Sequence, residues 1–209
     1  QRAQQHPKNR AAAVKPQANH LTTLQATPLT MRKPLVDTPA DIPVNTPADA
    51  PVSAWLALGG NLGNAQQNVL DAIESISRTP HISLQAASSL YRSPPFEASG
   101  PDFINAVVQV STTLAPHALL AACQQIENAA GRLRPYRNAP RTLDIDILLY
   151  GNAGNATVID TPALTLPHPR MYQRAFVLLP LAEIAPQHVS PAQLQAIASQ
   201  PITKLPATV

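Results

Sequence analysis

At 209 residues the chain is long enough for one substantial domain with a segment to spare. Only 13% of its residues are charged, and its single cysteine rules out an internal disulfide. The net charge of +3 belongs to residues 1–50, with six basic and three acidic side chains; residues 51–209 carry nine of each, which gives a nucleic-acid-binding role for the folded part no support.

Residues 1–51 hold eight of the 23 prolines, lack Gly, Trp, Tyr and Phe, and contain the imperfect repeat "TPADIPV"/"TPADAPV". Such a segment buries too little apolar surface to offset the entropy of ordering, so a disordered Pro-rich tail is expected there, with a folded domain over 52–209. Residues 1–30 carry four basic and no acidic side chains, compatible with an organellar leader; a start at Met31 is the plainer reading. No apolar run reaches the ~20 residues of a membrane span, so a cytoplasmic protein with no membrane partner is the expectation.

"VSAWLAL" (52–58) reads as a strand ended by "GGNLGN" (59–64). That turn is neither a P-loop nor G-x-G-x-x-G, and by itself marks only a turn. Asn64 is placed to cap a helix to Ser77, with Val69, Leu70, Ile73 and Ile76 on one face. His81–Tyr91 reads as a strand, and "SPPF" (93–96) as a rigid loop. "FINAVVQVSTT" (103–113) is rich in strand formers, and 116–130 reads as a helix opened by Pro116 and stopped by Gly131. Cys123 falls inside it as a small core residue. A basic loop, 132–140, leads into a strand over 142–150. Beyond 151 the chain reads as an extension: a "TLPHPRM" loop, an apolar segment at 175–184, a short helix at 191–199 and a loose end. The order β-α-β-β-α-β predicts an α+β, ferredoxin-like core, both helices on one face of the sheet and the other face free for a site.

The last strand carries the chemistry. Alternation turns Leu143, Ile145, Ile147 and Leu149 to the helices, and Asp144, Asp146, Leu148 and Tyr150 to the other face. Two carboxylates at i and i+2 are either a solvated, Arg-partnered pair or ligands for a hard cation such as Mg²⁺. Arg132, Arg134, Arg137 and Arg141 precede them and Arg174 follows, whereas Lys204 is the sole lysine beyond residue 50. Clustered arginine suits bidentate phosphate recognition, so a metal–nucleotide site competes with a structural ion-pair network. Phe96, Phe103, Asn105 and Phe176 are candidates to wall a slot for a flat heterocycle or, alternatively, core aromatics and a turn cap. His168 binds phosphate or is an ordinary loop histidine.

Read together, "GGNLGN", "YRSPPF", "DFINAVV", "IENAAGRLR", "RNAPRTLDIDIL" and "LTLPHPRM…RAF" resemble the 6-hydroxymethyl-7,8-dihydropterin pyrophosphokinase family over roughly 53–186. The resemblance implies a ferredoxin-like core and transfer of pyrophosphate from ATP, the co-substrate, to the pterin hydroxymethyl group, with two Mg²⁺ ions on Asp144 and Asp146. It assigns catalysis to these aspartates with Arg132 and Arg141. It assigns ATP to Leu120, Gln124, Glu127, Arg132, Arg134, Arg141, Ile147, Thr165, His168 and Arg174, and the pterin to Ser93, Pro94, Phe96, Phe103, Asn105 and Phe176. A monomer with these two small-molecule partners is the expectation.

Overall fold

Phe103–Thr112, the stretch densest in β-branched residues, forms the strand β4 on which the sheet is assembled. It pairs antiparallel with β1, Val52–Gly60, which pairs antiparallel in turn with β5, Asp144–Asn152. Along its other edge run β2, Ile82–Ala87, and β3, Tyr91–Ser93. The computed structural model describes residues 50–95, 100–131, 140–152 and 154–206, all within one compact unit. Readings for residues 1–49, Phe96, Arg132, Arg134 and Arg137 lie outside the described residues.

The helices α1, Ala65–Arg78, and α2, Pro116–Ala129, form where expected. Asn64 Oδ1 accepts from Gln67 N–H at 3.2 Å and caps α1, and Gly131 ends α2 with a φ of +76°. Val69, Ala72 and Ile76 of α1 and Leu119 and Cys123 of α2 pack on Leu56, Leu58, Ala106, Val108, Ile145 and Ile147. Ala72 is buried in that core, while Leu70, read on the same face, is only half-buried.

Three readings change. First, the alternation along β5 breaks: Ala57 faces Asp146 and Leu56 faces Ile147, but Trp55 faces Leu149, leaving Leu148 as a bulged extra residue. Leu148 and Leu149 therefore share one cluster and Tyr150 returns to the helix side, so the expected outward Tyr150 and inward Leu149 exchange faces. Second, the strand expected over 81–91 is two, because Gln85 bulges and Ser88 meets Val107 with its side chain, Oγ accepting from Val107 N–H at 3.0 Å. Third, the C-terminal residues are not loose. Thr203–Lys204, β9, pairs with β3, and Leu205 N–H donates to Leu90 O at 2.8 Å.

The second face is not wholly free either. The apolar segment becomes helix α3, Ala175–Ile184, with Val177 and Leu181 against Trp55, Val107, Leu148 and Leu149. Apolar over most of its surface apart from Glu183, α3 is covered on its far side by Leu194 of the short helix α4, Pro191–Ala196, and by Ile197 just after it. The polar residues Asn105, Asp144 and Asp146 occupy the remaining half of that face. Between β5 and α3, Asn155–Ala156 (β6) extends the sheet at Gly151–Asn152, and Ile159–Asp160 (β7) pairs with Thr165–Leu166 (β8).

Candidate functional site

A row of residues crosses three strands. Gly59 of β1 lies opposite Asp144 of β5 on one side and Asn105 of β4 on the other, and Ala57 lies opposite Asp146. Neither Gly59 nor Ala57 carries a bulky side chain, so the face keeps room beside both carboxylates. Asn105 and Asp144 are two strand spacings apart, about 10 Å. A flat ligand at one end and a phosphate chain at the other fit that span.

Arg141 reaches this row from the loop before β5. Its Nη1 lies 2.5 Å from Asp144 Oδ2, in a pair largely shielded from solvent, and its guanidinium carbon is 6.0 Å from the Phe103 ring centroid. The glycine-rich turn holds it there. Asn61, 3% exposed, donates its N–H to Arg141 O at 2.9 Å and accepts from Arg141 N–H on its Oδ1 at 2.9 Å. Leu62 N–H also donates to Arg141 O, at 3.2 Å, and Asn61 Nδ2 ties in Pro101 O at 3.1 Å. A Cβ on Gly60 would lie 2.3 Å from Thr142 O, so only glycine allows this approach. The turn thus clamps the segment that delivers Arg141.

His168 arrives from the other side. Its backbone N–H donates to O of the bulged Leu148 at 2.9 Å, and its Nδ1 accepts from Arg170 N–H at 3.3 Å, which leaves Nε2 as the N–H of the neutral ring. Burial holds the imidazole below its ordinary pKa; Asp146 and Asp144 pull it up, Arg174 and Arg170 down. Burial likewise lowers Arg174, which feels Arg170, Arg141 and both aspartates and stacks 5.3 Å from the Phe176 ring. Three arginines therefore converge on two carboxylates, an excess of positive charge suited to a polyanion. Arg170, between His168 and Arg174 in a chain that favours arginine over lysine, was the signal the sequence reading passed over.

A cavity of about 240 Å³ opens beside Asp146, lined by Leu120, Ile147, Pro162–Thr165, His168 and Pro169. It brings together Leu120 of α2, Asp146 and Ile147 of β5, Thr165 of β8 and His168 of the loop after it. Gln124 is exposed on α2 and does not line it. Glu127 lies deeper: it is 1% exposed, its Oε1 accepts from Ile145 N–H at 2.7 Å, and it does not line the cavity. It also reinforces burial in pushing the Cys123 thiol up to about 12.

At the other end of the row, Asn105 and Ser93 are 4% and 5% exposed and bonded to each other, Phe103 lies against the Gly59 position, and Pro94 is exposed. No cluster of three metal-ligating side chains occurs among the described residues. Two carboxylates fit Mg²⁺, which takes few protein ligands and fills its shell with phosphate oxygens and water, better than a closed zinc site.

Residues 55–186 match the family model for 7,8-dihydro-6-hydroxymethylpterin-pyrophosphokinase. The chain is 44% identical over 137 residues to the 2-amino-4-hydroxy-6-hydroxymethyldihydropteridine pyrophosphokinase of Methylorubrum extorquens, covering 65% of this chain and 84% of that one. It is 45% identical over 133 residues to the enzyme of that name from Pseudomonas aeruginosa, covering 63% and 80%. A solved Plasmodium falciparum HPPK-DHPS chain with pterin and p-hydroxybenzoate aligns with a TM-score of 0.50 at 14% identity, over 68% of this chain and 41% of that longer one, a likeness of fold alone.

Proposed function

This chain belongs to the 7,8-dihydro-6-hydroxymethylpterin-pyrophosphokinase family, and we propose that it moves the pyrophosphoryl group of ATP onto the hydroxyl of 6-hydroxymethyl-7,8-dihydropterin, giving AMP and the pterin diphosphate in folate biosynthesis. The observation that carries this reading is the row Asp144–Gly59–Asn105 across β5, β1 and β4, with phosphate-type chemistry at one end and heterocycle-type chemistry at the other. We read the core as ferredoxin-like, supported by the order β5-β1-β4 followed by β2 and β3, which together stand for one broken strand.

In this reading the nucleoside occupies the cavity between Leu120, Ile147 and the β7–β8 hairpin, and its phosphates lie toward His168, Arg141 and Arg174, with Arg132 and Arg134 of the preceding loop added by family position. The pterin lies at Asn105, with Phe103 and Phe176 supplying flat apolar contact and Phe96 assigned there by the same family match. Asp144 and Asp146 would hold two Mg²⁺ ions, which when bound neutralise charge on the bridging phosphates. The chain's own contribution is alignment. Asn105 fixes one reactant and the arginines fix the other, so that the hydroxyl oxygen gives up its proton to solvent and bonds to the β-phosphorus as the bond to the α–β bridging oxygen breaks and AMP departs with that oxygen. His168, neutral, donates from Nε2 toward the phosphates without adding charge to a site already rich in arginine.

Incubation with Mg-ATP and the hydroxymethyl pterin tests this reading. AMP forming in step with pterin consumption is expected. ADP as the nucleotide product, with the pterin left intact, would remove the assignment.

A further inference from the structure

Pro169 lines the cavity beside Asp146, and the exposed Arg170 follows it, an arginine to which the reading above gives no role. Its backbone is held on both sides. The N–H donates to His168 Nδ1 at 3.3 Å, and the carbonyl accepts from Gln173 N–H at 3.2 Å. The next residue, Met171, is fully buried under α3. The guanidinium, by contrast, makes no hydrogen bond or ion pair with any described residue. Like charge surrounds it instead. After burial, Arg170 is the largest influence holding the Arg174 guanidinium below its ordinary pKa, ahead of the opposing pull of Asp146. A cation fixed beside another cation, with no acid of its own, destabilises the free protein, and an anion arriving from solvent relieves that repulsion.

We propose that Arg170 is a capture residue: exposed on a rigid base beside the nucleotide cavity, it draws in the triphosphate of ATP and sets how fast the site loads. This rests on the nucleotide reading and deepens it, adding a residue that acts on approach rather than on the bound complex. Exposure decides between those two effects. A solvated charge adds little to a finished complex, because water screens it at contact. Its field nevertheless extends about 10 Å at about 0.1 M salt and acts on a polyanion before any contact forms. Arg141 and Arg174 are partly shielded from solvent and suit the later task of holding phosphates in place. The two tasks are thus divided between arginines by their burial.

The test is stopped-flow association of the intact protein with a fluorescent, non-hydrolysable ATP analogue and Mg²⁺, across a range of salt concentrations. At about 20 mM salt, Arg170→Gln should associate about fivefold more slowly than wild type and Arg170→Glu more slowly still, with dissociation rates changed much less. The gap should shrink to within about twofold at about 0.5 M salt, where the field is screened over a few ångströms. Arg170→Lys keeps the charge and should stay within about twofold of wild type throughout. Thermal melts of the nucleotide-free proteins supply a readout that a structural role would move the other way: Arg170→Gln should melt no lower than wild type, since Arg174 loses a repelling neighbour. The proposal fails if Arg170→Gln associates as fast as wild type at low salt, if its deficit persists undiminished at high salt, if Arg170→Lys behaves like Arg170→Gln, or if the free Arg170→Gln protein melts lower. A wild-type protein that does not bind the analogue would remove the nucleotide reading itself, and this proposal with it.

Discussion

Asp144 and Asp146 owe their usefulness to what stands opposite them. Gly59 and Ala57 leave space beside the carboxylates, and Arg141 balances Asp144. Replacing either aspartate by asparagine keeps the volume and removes the charge. Asp144→Asn and Asp146→Asn should each lower turnover by about a hundredfold or more, several kcal/mol of lost charge stabilisation, with thermal unfolding little changed. Turnover within a few-fold of wild type would contradict the assignment. Gly60 makes a purely steric case. Gly60→Ala drives a methyl into the Thr142 carbonyl, 2.3 Å away, and a fixed backbone cannot yield as a side-chain tip would. A loss of about 1–3 kcal/mol in urea unfolding is expected, with Arg141 displaced and the apparent KM for ATP raised.

Elements were legible in the sequence where one period held, and illegible where it broke. Alternation read β5 correctly from Leu143 to Leu148 and then failed at Leu149 and Tyr150, because a bulge is a local insertion that leaves no mark in a run of Ile-Leu-Leu. The carboxylates lie before the bulge, which is why their face was readable and that of Tyr150 was not. The "GGNLGN" turn was seen, but its clamp on Arg141 joins positions 80 apart, and local pattern carries no such information. The two-residue strand β9 was too short for any pattern, yet it and α3 are tied to β3 by Glu183. This carboxylate accepts from Ser89 Oγ and Tyr91 Oη at 2.8 Å each and from Lys204 Nζ at 3.1 Å. Burial alone would raise the Glu183 carboxyl, but the bonds from Ser89, Tyr91 and Lys204 outweigh it and hold it below its ordinary 4.5. A carboxylate held low favours folding above its ordinary pKa and yields that stability as pH falls through the lower folded value. Glu183→Gln should therefore cost about 1 kcal/mol at neutral pH, and its gap to wild type should close only on acidification below 4.5. Thermal melts of both proteins across that range check it; a constant gap would mean that the charge does not matter.

At the scale of the molecule, one sheet is used on both faces. α1 and α2 pack on one face, while α3 covers half of the other and leaves a polar half furnished, among the described residues, by β4, β5, Arg141 ahead of β5, the loop at His168 and the start of α3. That division explains why an apolar, weakly charged domain concentrates arginine at one place. The cavity beside Asp146 was legible only in part: the family resemblance supplied Leu120, Ile147, Thr165 and His168, but Pro162–Leu164 lie in a hairpin of two-residue strands with no periodic signal. Cys123 lies under the first face, 1% exposed with its thiol pushed up to about 12 chiefly by burial. It should stay unmodified by a thiol reagent at neutral pH until the domain unfolds, and rapid labelling of the native protein would contradict that packing. The central claim is that the row from Asp144 to Asn105 transfers two phosphoryl units at once. ATP labelled at the β-phosphorus tests it most directly, with the hydroxymethyl pterin as acceptor. Label recovered in the pterin product, with unlabelled AMP beside it, is the predicted result; label retained in the nucleotide while the pterin gains phosphate would contradict it.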